Sequence, residues 1–355
     1  MNTQSLATYL AIAATSLVAF PLLTGCASTS HPTTPASIGA ARSTGSMEAV
    51  IDQPGPVTVE TIVAADWEVS RAGLIDLDSA AAKAAGLKDG SEPINLFVHL
   101  IRHPTKGLFL VDTGAEHAFI ADADHALVHG FFGSLAHVDK LKVHVDTQAI
   151  VANAGEPVQG VLLTHLHLDH IMGMRDVPAF VPVYIGAGDA EDRSFMNLFQ
   201  KGVYSDSLEG KGPLREIHFT PDPDGVFEGI LDVFGDGSFW AISVPGHTPG
   251  SIAYLARTPS GPVLLTGDTC HTSWGWKHNV EPGTFSEDQG KNADSLARLE
   301  RLVARHPKID VRLGHQRFEH ATPEVLTLTT LPGGARPQSP APAGVVAQSK
   351  SEVAQ

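Results

Sequence analysis

Short apolar runs separated by turn residues dominate the chain. Val57 to Ala64 and Ile94 to Ile101 have the pattern of strands, and Leu108 to Asp112 returns after the turn residues His103-Pro104-Thr105-Lys106-Gly107. Val161-Leu162-Leu163, Val181 to Ile185, Phe239 to Val244, Ile252 to Leu255, Val263 to Leu265 and Ile309 to Leu313 continue the series. Helices are fewer: Ala190 to Phe199, and Asn292 to His306, where Leu296, Leu299 and Val303 recur at helical spacing before Pro307 stops the run. Strands interleaved with occasional helices predict two packed sheets with helices outside, an α/β sandwich.

The ends have a different texture. No residue from Leu6 to Leu23 is charged, and Leu23-Thr24-Gly25-Cys26 follows, so residues 1–25 resemble a bacterial lipoprotein signal peptide. Met1 to Ser5 departs from that pattern in lacking Lys and Arg. The stretch is short and carries Thr8, Thr15, Ser16 and Pro21, which speaks against a transmembrane anchor. The resemblance implies cleavage before Cys26 and membrane attachment through its lipidated thiol. With Ala27 next, it implies a periplasm-facing outer-membrane position in a Gram-negative cell. Residues 26–46, rich in Ser, Thr, Pro, Ala and Gly, are expected to be a flexible tether, and Pro332 to Gln355 a disordered tail. One domain, residues 47–331, remains. With Cys26 lipidated, Cys270 is the only other thiol and no intrachain disulfide can form.

Composition narrows the function. A net charge of −15 and the lack of a basic run disfavour nucleic-acid binding, while 43% hydrophobic and 18% charged residues are those of a globular chain. The 18 His direct the search toward metal sites.

The densest cluster is Thr164-His165-Leu166-His167-Leu168-Asp169-His170, directly after an apolar strand. In extended backbone His165 and His167 point the same way, so one cation can take both. Asp169 and His170 fall where a helix would begin, aimed at a neighbouring position. This string resembles the HxHxDH signature of the metallo-β-lactamase superfamily, whose fold is an αββα sandwich with the metal site at one edge. The other motifs follow in order: Leu110-Val111-Asp112-Thr113-Gly114, Pro245-Gly246-His247-Thr248-Pro249-Gly250-Ser251, Thr266-Gly267-Asp268-Thr269 and Leu313-Gly314-His315. The resemblance implies that His165, His167 and His247 hold one metal, that Asp169, His170 and His315 hold the other, and that Asp268 spans both. Asp112 is implied to support the site by hydrogen bonding.

Such a centre, with two divalent ions, zinc by expectation, keeps about one positive charge and attracts a developing oxyanion. It implies hydrolysis of a small molecule by a metal-bound hydroxide, with Asp169 accepting or shuttling a proton. A bridging Asp268 argues against a true β-lactamase. Gly314-His315-Gln316, the later Glu319 and Val111-Asp112-Thr113-Gly114 look most like the quorum-quenching lactonase branch, which opens acyl-homoserine lactones. That branch usually carries Tyr three residues after the bridging Asp, where this chain has His271, a candidate hydrogen-bond donor or acid, or a surface histidine. Trp274 and Trp276 are candidate walls of an apolar pocket or packing aromatics. Phe131 and Phe132 are candidates for a lid, and Asp189, Glu191 and Asp192 read as a solvated helix start. A phosphotriesterase using the same metals, a mononuclear iron-dependent oxygenase of the same fold and a non-catalytic envelope protein are the alternatives.

Overall fold

The computed structural model describes residues 29–191 and 195–316 and the Val325–Leu326 strand. The signal peptide with Cys26, the 332–355 tail, Asp192 and Glu319 lie outside the described residues. Two sheets pack face to face, one of nine strands and one of six among the described residues.

The apolar runs are nearly continuous because most strands are covered on both faces, and alternate residues serve different cores. Phe109, Val111, Leu162, Phe239, Ala241, Val263 and Leu265 meet in the core between the sheets. Their neighbours Leu108, Leu110, Val161 and Leu163 face outward from the larger sheet, under the Thr147–Asn153, Leu168–Ile171 and Phe195–Ser207 helices, which contribute Ile150, Ile171 and Tyr204. Trp240, Ile242 and Leu264 face outward from the smaller sheet onto Met47 and Ile51 of Thr44–Ile51 and Leu296, Leu299 and Leu302 of Gln289–Arg305. Three cores between four layers give the αββα sandwich expected from the motifs.

Strand direction places the site. Val158–Leu162 runs parallel between Gly107–Val111 and Val183–Gly186, and Gly261–Leu265 runs parallel to Asp310–Arg312. The five motifs follow the carboxyl ends of Gly107–Val111, Val158–Leu162, Phe239–Ser243, Gly261–Leu265 and Asp310–Arg312, at one edge of the sandwich.

The expected tether requires correction. Thr33–Pro35 pairs parallel with Leu214–Glu216 at the edge of the larger sheet, and Ala40–Arg42 pairs with Ile230–Asp232 at the edge of the smaller one. Edge positions tolerate Pro because one side of an edge strand needs no ladder bonds. Between them Gly39 takes φ 71°, and a Cβ there would stand 2.7 Å from the Asp232 carbonyl oxygen. Ser43 caps the Thr44–Ile51 helix, and Asp222 accepts from the Thr44 amide and hydroxyl. Residues 29–46 therefore belong to the folded unit and fasten the edges of both sheets.

The expected Ala190 helix also shifts, to Phe195–Ser207. Asp189 is no solvated helix start: it is 2% exposed, and its carboxylate accepts from the Leu166 and Gly250 amides. Glu191 is exposed.

Candidate metal centre

The first fixed point is Asp112, just beyond Gly107–Val111. Its φ of 58° is the left-handed conformation that Asp tolerates better than most residues. The turn directs one carboxylate oxygen to the Thr164 amide at 2.8 Å and the other to Nδ1 of His170 at 2.8 Å. Since a carboxylate accepts, the ring proton sits on Nδ1 and Nε2 faces the centre. Asp189 fixes the next stretch: by holding both Leu166 and Gly250 it ties the HxHxDH loop to the loop carrying His247.

That loop makes a sharp bend at Gly246, where φ is 139° and a Cβ would lie 2.2 Å from the Asn292 amide nitrogen. His247 is thereby seated beside His165 and His167, whose ring centroids lie 4.6 Å apart. Nε2 of His247 lies 3.1 Å from Nε2 of His165 and 2.9 Å from Nδ1 of His167. Those gaps approach the edge of about 3.3 Å expected when nitrogens sit tetrahedrally about 2.0–2.1 Å from one zinc ion.

Asp268, in the Gly267–Thr269 turn, is the hub. Its Oδ2 lies 3.0 Å from Nε2 of His271, 3.1 Å from that of His315 and 3.3 Å from that of His170. His247 and His165 follow at 3.5 and 3.8 Å. The other oxygen, Oδ1, is buried without a hydrogen-bond partner, and a Cβ at Gly314 would stand 2.1 Å from it. Asp169 completes the second group, with Oδ2 3.0 Å from Nε2 of His315, whose Nδ1 donates to the Asn95 carbonyl. His165, His167 and His247 form one set of donors that could hold a cation, and Asp169, His170, Asp268 and His315 form another.

The electrostatics divide the same way. Burial, reinforced by the neighbouring rings, holds His165 and His247 well below the ordinary histidine value, so they keep lone pairs. Burial also acts on His315 and His170, but Asp268 overcomes it, pushing His315 up to about 10 and His170 well above normal. Against burial, the surrounding imidazoles hold Asp268 well below the usual carboxylate range, and His170 and His315 do the same for Asp169. Lone pairs on one side and a demand for positive charge on the other suit a cluster that could hold cations. His167 and Asp169 are half-buried, whereas the remaining donors are buried.

Other expected site residues distribute differently. His271 is no surface histidine, being 1% exposed with its ring turned into the centre. Trp276 belongs to the core outside the smaller sheet, and Trp274 packs on the core outside the larger one and stacks on His278 at 4.2 Å. Phe131 and Phe132 project from the Gly130–Leu135 helix and are 74% and 39% exposed. Cys270 points away, its thiol donating to the Thr272 carbonyl in the outer core, where burial pushes its pKa up.

Residues 94–315 match the metallo-beta-lactamase superfamily. The chain is 31% identical over 143 residues to Gamma-lactamase MBL2 of Gibberella moniliformis, covering 37% of this chain and 59% of that relative. It is 28% identical over 229 residues to the N-acyl homoserine lactonase AttM of Azorhizobium caulinodans, covering 63% of this chain and 81% of that one. Its fold resembles a crystal structure of a quorum-quenching N-acyl homoserine lactone lactonase, with a TM-score of 0.56 at 18% identity over 78% of this chain and 98% of the other. The dizinc quorum-quenching lactonase AidC, in complex with a product, gives a TM-score of 0.50 at 15% identity over 80% and 93% of the two chains.

Proposed function

This chain belongs to the metallo-β-lactamase superfamily, with the fold and the donor cluster of its metal-dependent hydrolases, and we propose that it is a dinuclear enzyme that opens a lactone or related ester. The observation that carries the reading is the convergence of five imidazole nitrogens on one buried carboxylate oxygen, Asp268 Oδ2, within 3.8 Å. His165, His167 and His247 would hold one ion, Asp169, His170 and His315 the other, and Asp268 would span them.

When bound, two divalent ions, zinc in this reading, supply Lewis acidity that polarises a scissile carbonyl and lowers the pKa of water to about 7. The protein's part is orientation and proton handling. Asp112 and the Asn95 carbonyl keep the ring protons of His170 and His315 on Nδ1, which leaves Nε2 toward the reaction. Asp169, with 21% of its side chain exposed beside His315, takes the proton released by the attacking water and returns it to the departing alkoxide.

The lactone is favoured by the similarity to AttM over 81% of its length. A cyclic amide is the second substrate class, on the similarity to MBL2. Chelation tests the chemistry: the metal-free chain should lose hydrolysis and regain it as zinc approaches two ions per chain. Undiminished turnover in the metal-free chain would overturn it.

We also propose that Cys26 anchors the chain in the cell envelope, on the signal resemblance of residues 1–25. Cys26→Ser should then move the protein from the membrane to the soluble fraction, and unchanged membrane association would contradict the anchor.

A further inference from the structure

We propose that His271 is itself a metal ligand, its Nε2 binding an ion beside His247 and Asp268, rather than a hydrogen-bond donor to substrate. The inference rests on the dinuclear reading above.

Three observations carry it. His271 is 1% exposed, and its Nε2 lies 3.0 Å from Asp268 Oδ2, the shortest of the five imidazole approaches to that oxygen. With His247 and Asp268 it forms a third set of donors whose atoms all lie within 4.8 Å of one another. Its other nitrogen, Nδ1, lies 3.3 Å from the Leu74 carbonyl, at the end of the Arg71–Leu74 helix, where carbonyls lack intrahelical partners.

The last contact gives the ring an orienting partner. A carbonyl only accepts, so an Nδ1–H here donates to Leu74, which holds the ring with Nε2 turned to Asp268 at 3.0 Å. The same arrangement orients His315 through the Asn95 carbonyl and His170 through Asp112, and metal-binding histidines are commonly fixed in this way. The backbone reinforces it: the His271 carbonyl accepts from the His315 amide at 3.1 Å, so the two residues are held as a pair.

His271→Tyr keeps a hydroxyl donor but removes the nitrogen, and cobalt binding to the full-length protein reads the difference without reference to turnover. Two ions should bind the wild-type chain. In H271Y one of them should bind at least about tenfold more weakly, with a change in the visible absorption of the cobalt protein. Two ions retained with unchanged affinity and spectrum would overturn the role of His271 and leave the dinuclear reading intact. A wild-type chain that binds no ion would overturn both. Anomalous diffraction from zinc-loaded wild-type crystals gives an answer that does not depend on the variant folding: His271 Nε2 at about 2.0–2.1 Å from an ion supports ligation, and Nε2 outside bonding distance of every ion overturns it.

Discussion

Asp112 contributes through its hydrogen bonds to Thr164 and His170 rather than by touching a substrate. Its carboxylate fixes both the start of the HxHxDH loop and the tautomer of His170. Asp112→Asn can keep the shape, but its amide can donate toward Nδ1, which favours the wrong tautomer. Metal affinity measured by chelator competition should fall by about 10–100-fold, with the fold retained by circular dichroism; unchanged affinity would show that Asp112 does not orient the ligand. The HxHxDH residues were legible in the sequence because they are contiguous and follow a buried strand. Asp189 was not, because a carboxylate beside Gly188 and Glu191 reads as solvated, and its acceptor role depends on Gly250, far along the chain. The pairing of His271 with Leu74 is hidden for the same reason: nothing local announces a contact across 197 positions.

Among the elements, strands buried on both faces were legible, since an apolar run between turn residues leaves few alternatives. The three-residue edge strands were not: Thr33–Pro35 and Ala40–Arg42 take their order from pairing rather than from apolar content. The Gln289–Arg305 helix was legible through Leu296 and Leu299, yet its spacing gave no hint of a cost at Glu300. Burial there pushes the carboxyl from its ordinary value of 4.5 up to about 7, with Arg301 opposing, and Oε1 is buried without a hydrogen-bond partner. Because the folded pKa is raised, the unfolded chain releases its proton first as pH rises. Stability therefore falls from about 4.5 to about 7 and stays lowered above that. Glu300→Gln should stabilise on the order of 1–2 kcal/mol in alkaline buffer, after allowance for screening of a half-buried group, and by little in mild acid. Thermal melts at the two pH values check it, and an equal effect at both would contradict the assignment.

At the scale of the whole molecule, strands of both sheets present carboxyl ends at one edge, so candidate metal donors from distant parts of the chain meet there. Asp112, His165 and His170 come from the larger sheet and His247, Asp268 and His315 from the smaller, so the centre spans the seam between them. Packing of the two sheets is thus also assembly of the site. Order along the sequence made this arrangement readable; the chemistry of the substrate is set by the surrounding surface, which the motifs do not encode. The most direct test is a comparison of kcat/KM for the zinc-loaded full-length protein on an N-acyl homoserine lactone, an aryl ester, a phosphotriester and a β-lactam, with Asp268→Ala alongside. We expect the lactone to exceed each of the others by at least about tenfold, a difference of about 1.4 kcal/mol in transition-state stabilisation, and to lose its turnover in Asp268→Ala. A metal-loaded protein that leaves the lactone intact, or an Asp268→Ala variant that opens it at the wild-type rate, would contradict the account.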